Sequence, residues 1–201
     1  MHRNWLQHLQ LPGLLQETLE EYISAYDSLM QKLERVEQRI EEVAHQDSYQ
    51  ESVGHLCCFR GIATMTAMTT LVEIGDFHRF ATAKQFTAYL GLVPGESSSG
   101  GSIRRLSLTK AGNRIVRTVL IEAVQSYTRG KVCLKSKAVR ARQKGQPAEI
   151  IGYADKATHR LMKRWYTMQA RGVSHNVAKA AIARELACFI WGMQTGRIGL
   201  Q

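Results

Sequence analysis

Three consecutive serines, Ser97, Ser98 and Ser99, are followed by Gly100 and Gly101. Five basic residues, Arg104, Arg105, Lys110, Arg114 and Arg117, come next, before the first following carboxylate, Glu122. A serine hydroxyl attacks phosphorus when a base or a metal takes its proton and cations absorb the charge on the phosphoryl oxygens. Small residues around Ser98 and Ser99, namely Gly95, Gly100 and Gly101, would let a bulky phosphodiester backbone approach. Arg104, Arg105 and Lys110 would then bind that backbone. A flexible linker also suits the Ser/Gly composition, although the flanks "YLGLVP" and "SIRRLSLTKAGNR" are not linker-like. A phosphate-binding loop of the GxxxxGK[ST] type is excluded, because "GESSSGGS" puts Gly101 where the lysine must stand and no parallel-sheet pattern surrounds it.

The rest of a phosphoryl-transfer site is missing from the residue types. The aspartates Asp27, Asp47, Asp76 and Asp155 are scattered, and no HxxxH or CxxC occurs. "HLCC" at residues 55–58 reads as structural thiols rather than metal ligands. No metal site is expected in this chain, so the residues amount to half an active site.

Charge says what the partner is. The chain carries a net +10, and it is unevenly spread. Residues 1–51 hold 4 basic and 10 acidic side chains, whereas residues 97–148 hold 12 basic residues against Glu122 alone, a block of +11. Such a block points to a polyphosphate such as nucleic acid, since a merely solvated face usually mixes signs. No run approaches the roughly 20 apolar residues of a membrane span. The N-terminus lacks a signal-peptide layout, and four cysteines without a framework pattern suit a reducing compartment. The expected location is the cytoplasm, with no membrane partner.

The elements that would position the serines are helices, and the fold class expected is all-α. Leu19, Tyr22, Tyr26, Leu29, Leu33, Val36, Ile40 and Val43 alternate three and four apart, the seam of a long heptad helix. Residues 1–50 are therefore read as a helical linker or coiled coil through which the chain forms a homo-oligomer, and residues 51–201 as a compact helical domain. Ser48 to Glu51 has capping-box spacing and is expected to open a second helix. Gly61 allows a tight turn and Gly75 a helix C-cap, giving a helix-hairpin-helix-like element that serves either phosphate binding or packing. Thr82 is expected to cap a short helix ending at Gly91. An apolar stripe from Ile115 to Tyr127 marks the helix after the serine loop. A basic connector follows, and two amphipathic helices, near 149–170 and 175–194, close the chain.

The order "RGI…LVEIGDFHRFATAKQFTAYLGLVPGESSSGG…RR…LTKAGNRIVR" resembles the C-terminal domain of bacterial insertion-sequence transposases of the Piv-like class, the IS110 group and its IS1111 branch. The likeness continues through "KGQPAEI", "KATHRLMKRWYTMQARG" and "VAKAAIARELACFIWGM", and covers roughly residues 53–195. The resemblance implies DNA transposition in which a serine attacks a DNA phosphate and becomes covalently linked to it. On this chain that serine falls on Ser99 or Ser98, with Ser99 favoured because it adjoins Gly100. Arg104, Arg105, Lys110, Asn113, Arg114 and Arg117 are the implied DNA contacts. Ser97 stands where the family more often has an aromatic residue, and Leu106 or Ser107 where it has a glycine. The resemblance also implies a structured guide RNA and an acidic RuvC-like domain holding Mg²⁺. That domain has no counterpart in the residues here, so this chain is expected to need it before it cleaves DNA. The competing expectation is a non-catalytic DNA- or RNA-binding remnant or regulator, for which the serines would not matter. An interaction protein working only through the heptad helix would leave the serine loop unexplained.

Overall fold

The 3.5-residue repeat forms one helix, α2 (Leu14–Ala44), whose 31 residues make it about 46 Å long. The computed structural model describes residues 2–99, 102–132 and 134–199, and for residues 2, 3, 7, 96–99 and 102–107 the backbone alone. A short helix, α1 (His2–Gln7), precedes α2, and Leu6 lines a shallow groove with Ile23 and Asp27. Along the α2 seam Tyr22, Tyr26, Leu29, Leu33 and Val36 are all exposed. The chain divides into two compact units, Met1–Glu42 and Val43–Gln201.

The second unit is built around α9 (His175–Gln194). Ile182, Leu186, Phe189, Ile190 and Trp191 are buried on different sides of it, the pattern of a central helix. Around it pack α8 (Ala148–Ala170), α6 (Arg114–Val124), α5 (Ala83–Tyr89) and α3 (Asp47–Cys57). The one charged side chain buried on α9 among the described residues, Glu185, accepts from Arg160 Nε at one oxygen and from Arg164 Nη1 at the other. Both lone-pair faces of the carboxylate are thus satisfied, as a buried charge requires.

Among the described residues the chain is all-α but for one element. The sequence suggests a Ser/Gly loop, and the structure folds it as a β-hairpin, β1 (Pro94–Ser99) antiparallel to β2 (Ser102–Leu108). Thr82 caps α5 as expected, its hydroxyl accepting from Gln85 N at 3.2 Å. Ser48 does not cap α3. That helix starts earlier, at Asp47, because Gln46 is extended and its carbonyl already accepts from Tyr49 N and Gln50 N, which leaves Ser48 inside the first turn. Gly75 ends α4 (Thr64–Ile74), and the basic connector holds a short capped helix, α7 (Lys137–Gln143).

The Gly61 turn between α3 and α4 serves packing. A side chain at Gly61 would lie 2.3 Å from Ala123 O and 2.3 Å from Ser126 Oγ, so the turn abuts the end of α6. No helix among the described residues is long and apolar enough to cross a membrane.

Candidate functional site

The hairpin that carries the serines rises from a base made by two helix ends. The α5 helix closes in a Schellman arrangement: Gly91 N donates to Ala88 O (2.9 Å) and Leu92 N to Thr87 O (3.0 Å), with Gly91 at φ +65°. The returning chain crosses this end. Thr109 N donates to Val93 O (3.0 Å), Lys110 N to Gly91 O (3.3 Å) and Asn113 N to Tyr89 O (3.0 Å). The crossing is tight enough to require glycine at both levels. A Cβ on Gly91 would sit 2.3 Å from Ala111 O, and one on Gly112 would sit 1.9 Å from Tyr89 O. Lys110 adopts φ +53°, a left-handed conformation that costs a non-glycine residue about 1 kcal/mol and marks a chain held in place by its surroundings.

Two residues expected to contact DNA are engaged in this base. Asn113 is the N-cap of α6: its Oδ1 accepts from Val116 N (2.9 Å), and its Nδ2 donates to Glu73 Oε2 of α4 (2.8 Å). Arg117 Nη1 donates to Leu90 O (2.8 Å), closing the C-terminus of α5. Lys110 and Arg114 are exposed beside them. Glu73 was not singled out by the sequence, because its partner lies 40 residues away and no local pattern points to it. Asn113→Ala is expected to destabilise the protein by about 1–2 kcal/mol, through the lost cap and the unpaired Glu73. Urea denaturation measures this, and an unchanged midpoint would remove the cap from the account.

Within the hairpin the register pairs Glu96 with Arg105, Ser97 with Arg104, Ser98 with Ile103 and Ser99 with Ser102. The two serines therefore occupy the far end of β1, and the two arginines face the strand positions just before them. The register shifts by one residue between the Pro94 and Glu96 pairs, a bulge in which Gly95 opposes Leu106 and Ser107. Bulges bend a ribbon and re-aim the residues beyond them. Gly100 and Gly101 lie outside the described residues.

The Mg²⁺ implied by the resemblance does not fit these residues. Among the described residues no three His, Cys, Asp or Glu side chains come together to hold a metal. Cys57 and Cys58 are buried, and Cys58 Sγ contacts Gly54 O at 3.4 Å. Burial first, then the neighbouring Cys57 and Asp155, push the Cys58 thiol up to about 11, so it is protonated at neutral pH, whereas a metal ligand would be a thiolate.

Residues 54–138, from within α3 to the start of α7, match the model of the Transposase IS116/IS110/IS902 family. This stretch is an IS110-type transposase domain. The matched stretch contains the whole hairpin and both helix ends that form its base. Among curated transposases, the chain is 39% identical to a putative transposase, y4qE, of Sinorhizobium fredii over 69% of its own length and 35% of that protein's. It is 29% identical to the transposase of insertion sequence IS1533 of Leptospira borgpetersenii, over 85% of this chain and 49% of the relative. With the IS1111A transposase of Coxiella burnetii it shares 36% identity over 34% of this chain and 19% of the relative. The chain thus spans half or less of the length of each of these transposases.

Proposed function

We propose that this chain is the serine-bearing part of an IS110-type transposase, with Ser99, or Ser98 beside it, as the nucleophile toward a DNA phosphate. The observation that carries this reading is the hairpin: a family-matched ribbon with the serine pair at its far end, anchored by a glycine crossing between α5 and α6. In the step proposed, the serine Oγ forms a bond to phosphorus while one P–O bond to a sugar oxygen breaks. The hydroxyl proton goes to a base, and the departing sugar oxygen takes up a proton. One phosphodiester is exchanged for another, so the bond energy is conserved for a later rejoining.

Arg104, Arg105, Lys110 and Arg114 would neutralise phosphate charge near the serines. Asn113 and Arg117 act by positioning the base. Metal chemistry would come from an acidic RuvC-like domain joined to this one. Exposed seam residues on α2 support pairing with α2 of a second copy, because a helix with an uncovered apolar heptad seam gains most of its stability from such packing. A structured guide RNA is the further partner implied by the resemblance, and the +11 block is compatible with it.

The test is covalent trapping. A complete transposase carrying this domain is incubated with end-labelled element DNA and run on a denaturing gel. A labelled protein band that disappears in mild alkali, as a phosphoserine ester does by β-elimination, is the expected result. Cleaved DNA without any such adduct would sink the serine mechanism.

A further inference from the structure

A second surface, at the other end of α6, has the chemistry of a nucleic-acid site. Two runs of the sequence contain no carboxylate at all, residues 123–148 and residues 156–184. The fold lays them side by side. Tyr127 in the turn after α6 is buried, and Tyr166 Oη of α8 donates to Gly130 O in the connector. Some of the cations there are already committed: Lys135 to Asp155, Arg142 to the Cys57 carbonyl, Arg160 and Arg164 to Glu185. Arg129, Lys131 and Lys163 are exposed around Tyr166, which is itself 39% exposed, and Leu134 is exposed beside them.

This connector is irregular, yet it is held in shape. One guanidinium, that of Arg60, donates to three of its carbonyls: Ser126 O (2.8 Å), Arg129 O (3.0 Å) and Leu134 O (3.2 Å). The Tyr166 hydroxyl fixes the loop at Gly130 and, by the same bond, fixes the orientation of its own ring. Beyond stabilising the fold, such fixing lets a binding surface lose less entropy on engagement, because its groups are pre-placed.

We propose that Arg129, Lys131, Lys163 and Tyr166 bind an unpaired stretch of nucleic acid, with a base stacked on the Tyr166 ring and neighbouring phosphates on the three cations. An immobilised aromatic ring among cations is the recurring platform for single strands, because every unpaired base offers a π-face. A duplex hides those faces, so the ring would add nothing to backbone contact. The site is separate from the serine hairpin: α6 has 11 residues, so its two ends are about 16 Å apart, with the hairpin base at one and this loop beyond the other. The inference rests on the reading of the chain as a nucleic-acid-binding protein.

The test uses the 201-residue chain with fluorescent 12-nucleotide single strands, one DNA and one RNA of the same sequence, and a duplex of equal length. Tyr166→Ala is expected to weaken single-strand binding roughly 10-fold or more and duplex binding less than about twofold. Tyr166→Phe, which keeps the ring, stays within about threefold of wild type. Lys131→Gln with Lys163→Gln lowers the slope of log affinity against log salt by about 1.4, near 0.7 for each phosphate no longer neutralised. Circular dichroism establishes that each variant is folded, and the two arms identify RNA or DNA as the preferred strand. Equal losses for single strand and duplex, or none for Tyr166→Ala, would overturn the site while leaving the transposase reading intact. Absence of any binding by the wild-type chain would overturn the site together with the nucleic-acid-binding reading on which it rests, whereas loss of cleavage in serine variants of a complete transposase with normal strand binding separates the two surfaces.

Discussion

Alanine at position 99 in a complete transposase carrying this domain is expected to reduce DNA strand cleavage by roughly 10³-fold or more, with DNA binding within about twofold of wild type. The asymmetry follows from the job each group has. In the proposed step the hydroxyl is the atom that bonds to phosphorus, so its removal takes away the bond-forming group itself. Affinity for the backbone comes instead from cations spread over many positions, so removing one neutral hydroxyl leaves it nearly unchanged. Ser98→Ala is the necessary companion. Successive positions of a strand alternate between its two faces, so one phosphate cannot be served equally from positions 98 and 99. One of the two variants is expected to be inactive and the other within about tenfold of wild type. A plasmid excision assay reads this directly. Wild-type excision by both variants would leave the chain with nucleic-acid binding and no nucleophile.

The features visible in the sequence and those hidden from it divide along a physical line. Helices announce themselves because their apolar residues recur at a fixed spacing. Leu19 to Val43 mark α2 without a miss, and the closing helices near 149–170 and 175–194 match α8 and α9 almost to the residue. The family-level likeness is carried by ordered motifs and is matched by the family model over residues 54–138. The hairpin is hidden because β1 reads Pro-Gly-Glu-Ser-Ser-Ser, with no β-branched or aromatic residue and no apolar alternation. Its one local signal is the Gly100-Gly101 dipeptide between two short runs, a hairpin-turn pair that a serine-rich context disguises as linker. Leu106 and Ser107, where the resemblance leads one to expect a glycine, fall on the bulge, where the register shifts.

The roles of Asn113 and Arg117 are hidden for another reason. Each is a polar residue in a basic stretch, and the resemblance implies that both contact DNA. Only the fold shows that Asn113 caps α6 and reaches Glu73, and that Arg117 closes α5. The same applies to Arg60, whose three acceptors lie more than 60 residues away in sequence. Long-range hydrogen bonds of this kind leave no periodicity, so a basic block read from the sequence does not show which of its side chains hold the fold.

Gly112→Ala is expected to destabilise the Val43–Gln201 unit by about 3 kcal/mol or more, lowering its melting temperature by roughly 6–12 °C. Two costs act together there. The backbone stands at φ +106°, which an L side chain rarely adopts, and the new Cβ would fall 1.9 Å from Tyr89 O and 2.9 Å from Tyr89 C. Those are backbone atoms at the end of α5, so no rotamer change relieves the contact. Tyr89 O is also the acceptor for Asn113 N, and moving it breaks the bond that joins the hairpin's exit to α5. The matched control is Gly152→Ala. Gly152 lies inside α8 with nothing within 4 Å of an added Cβ, and alanine is the better helix former there by about 0.5–1 kcal/mol, so that variant should melt at or slightly above wild type. Thermal denaturation of the two variants side by side separates a general glycine effect from the crossing. If the hairpin base also sets where the serines stand, Gly112→Ala in a complete transposase carrying this domain should lose cleavage well below its melting temperature, where the protein is folded but the ribbon is displaced. A Gly112→Ala variant that melts like wild type and cleaves at full rate would mean that the α5–α6 crossing neither holds the unit together nor aims the serines.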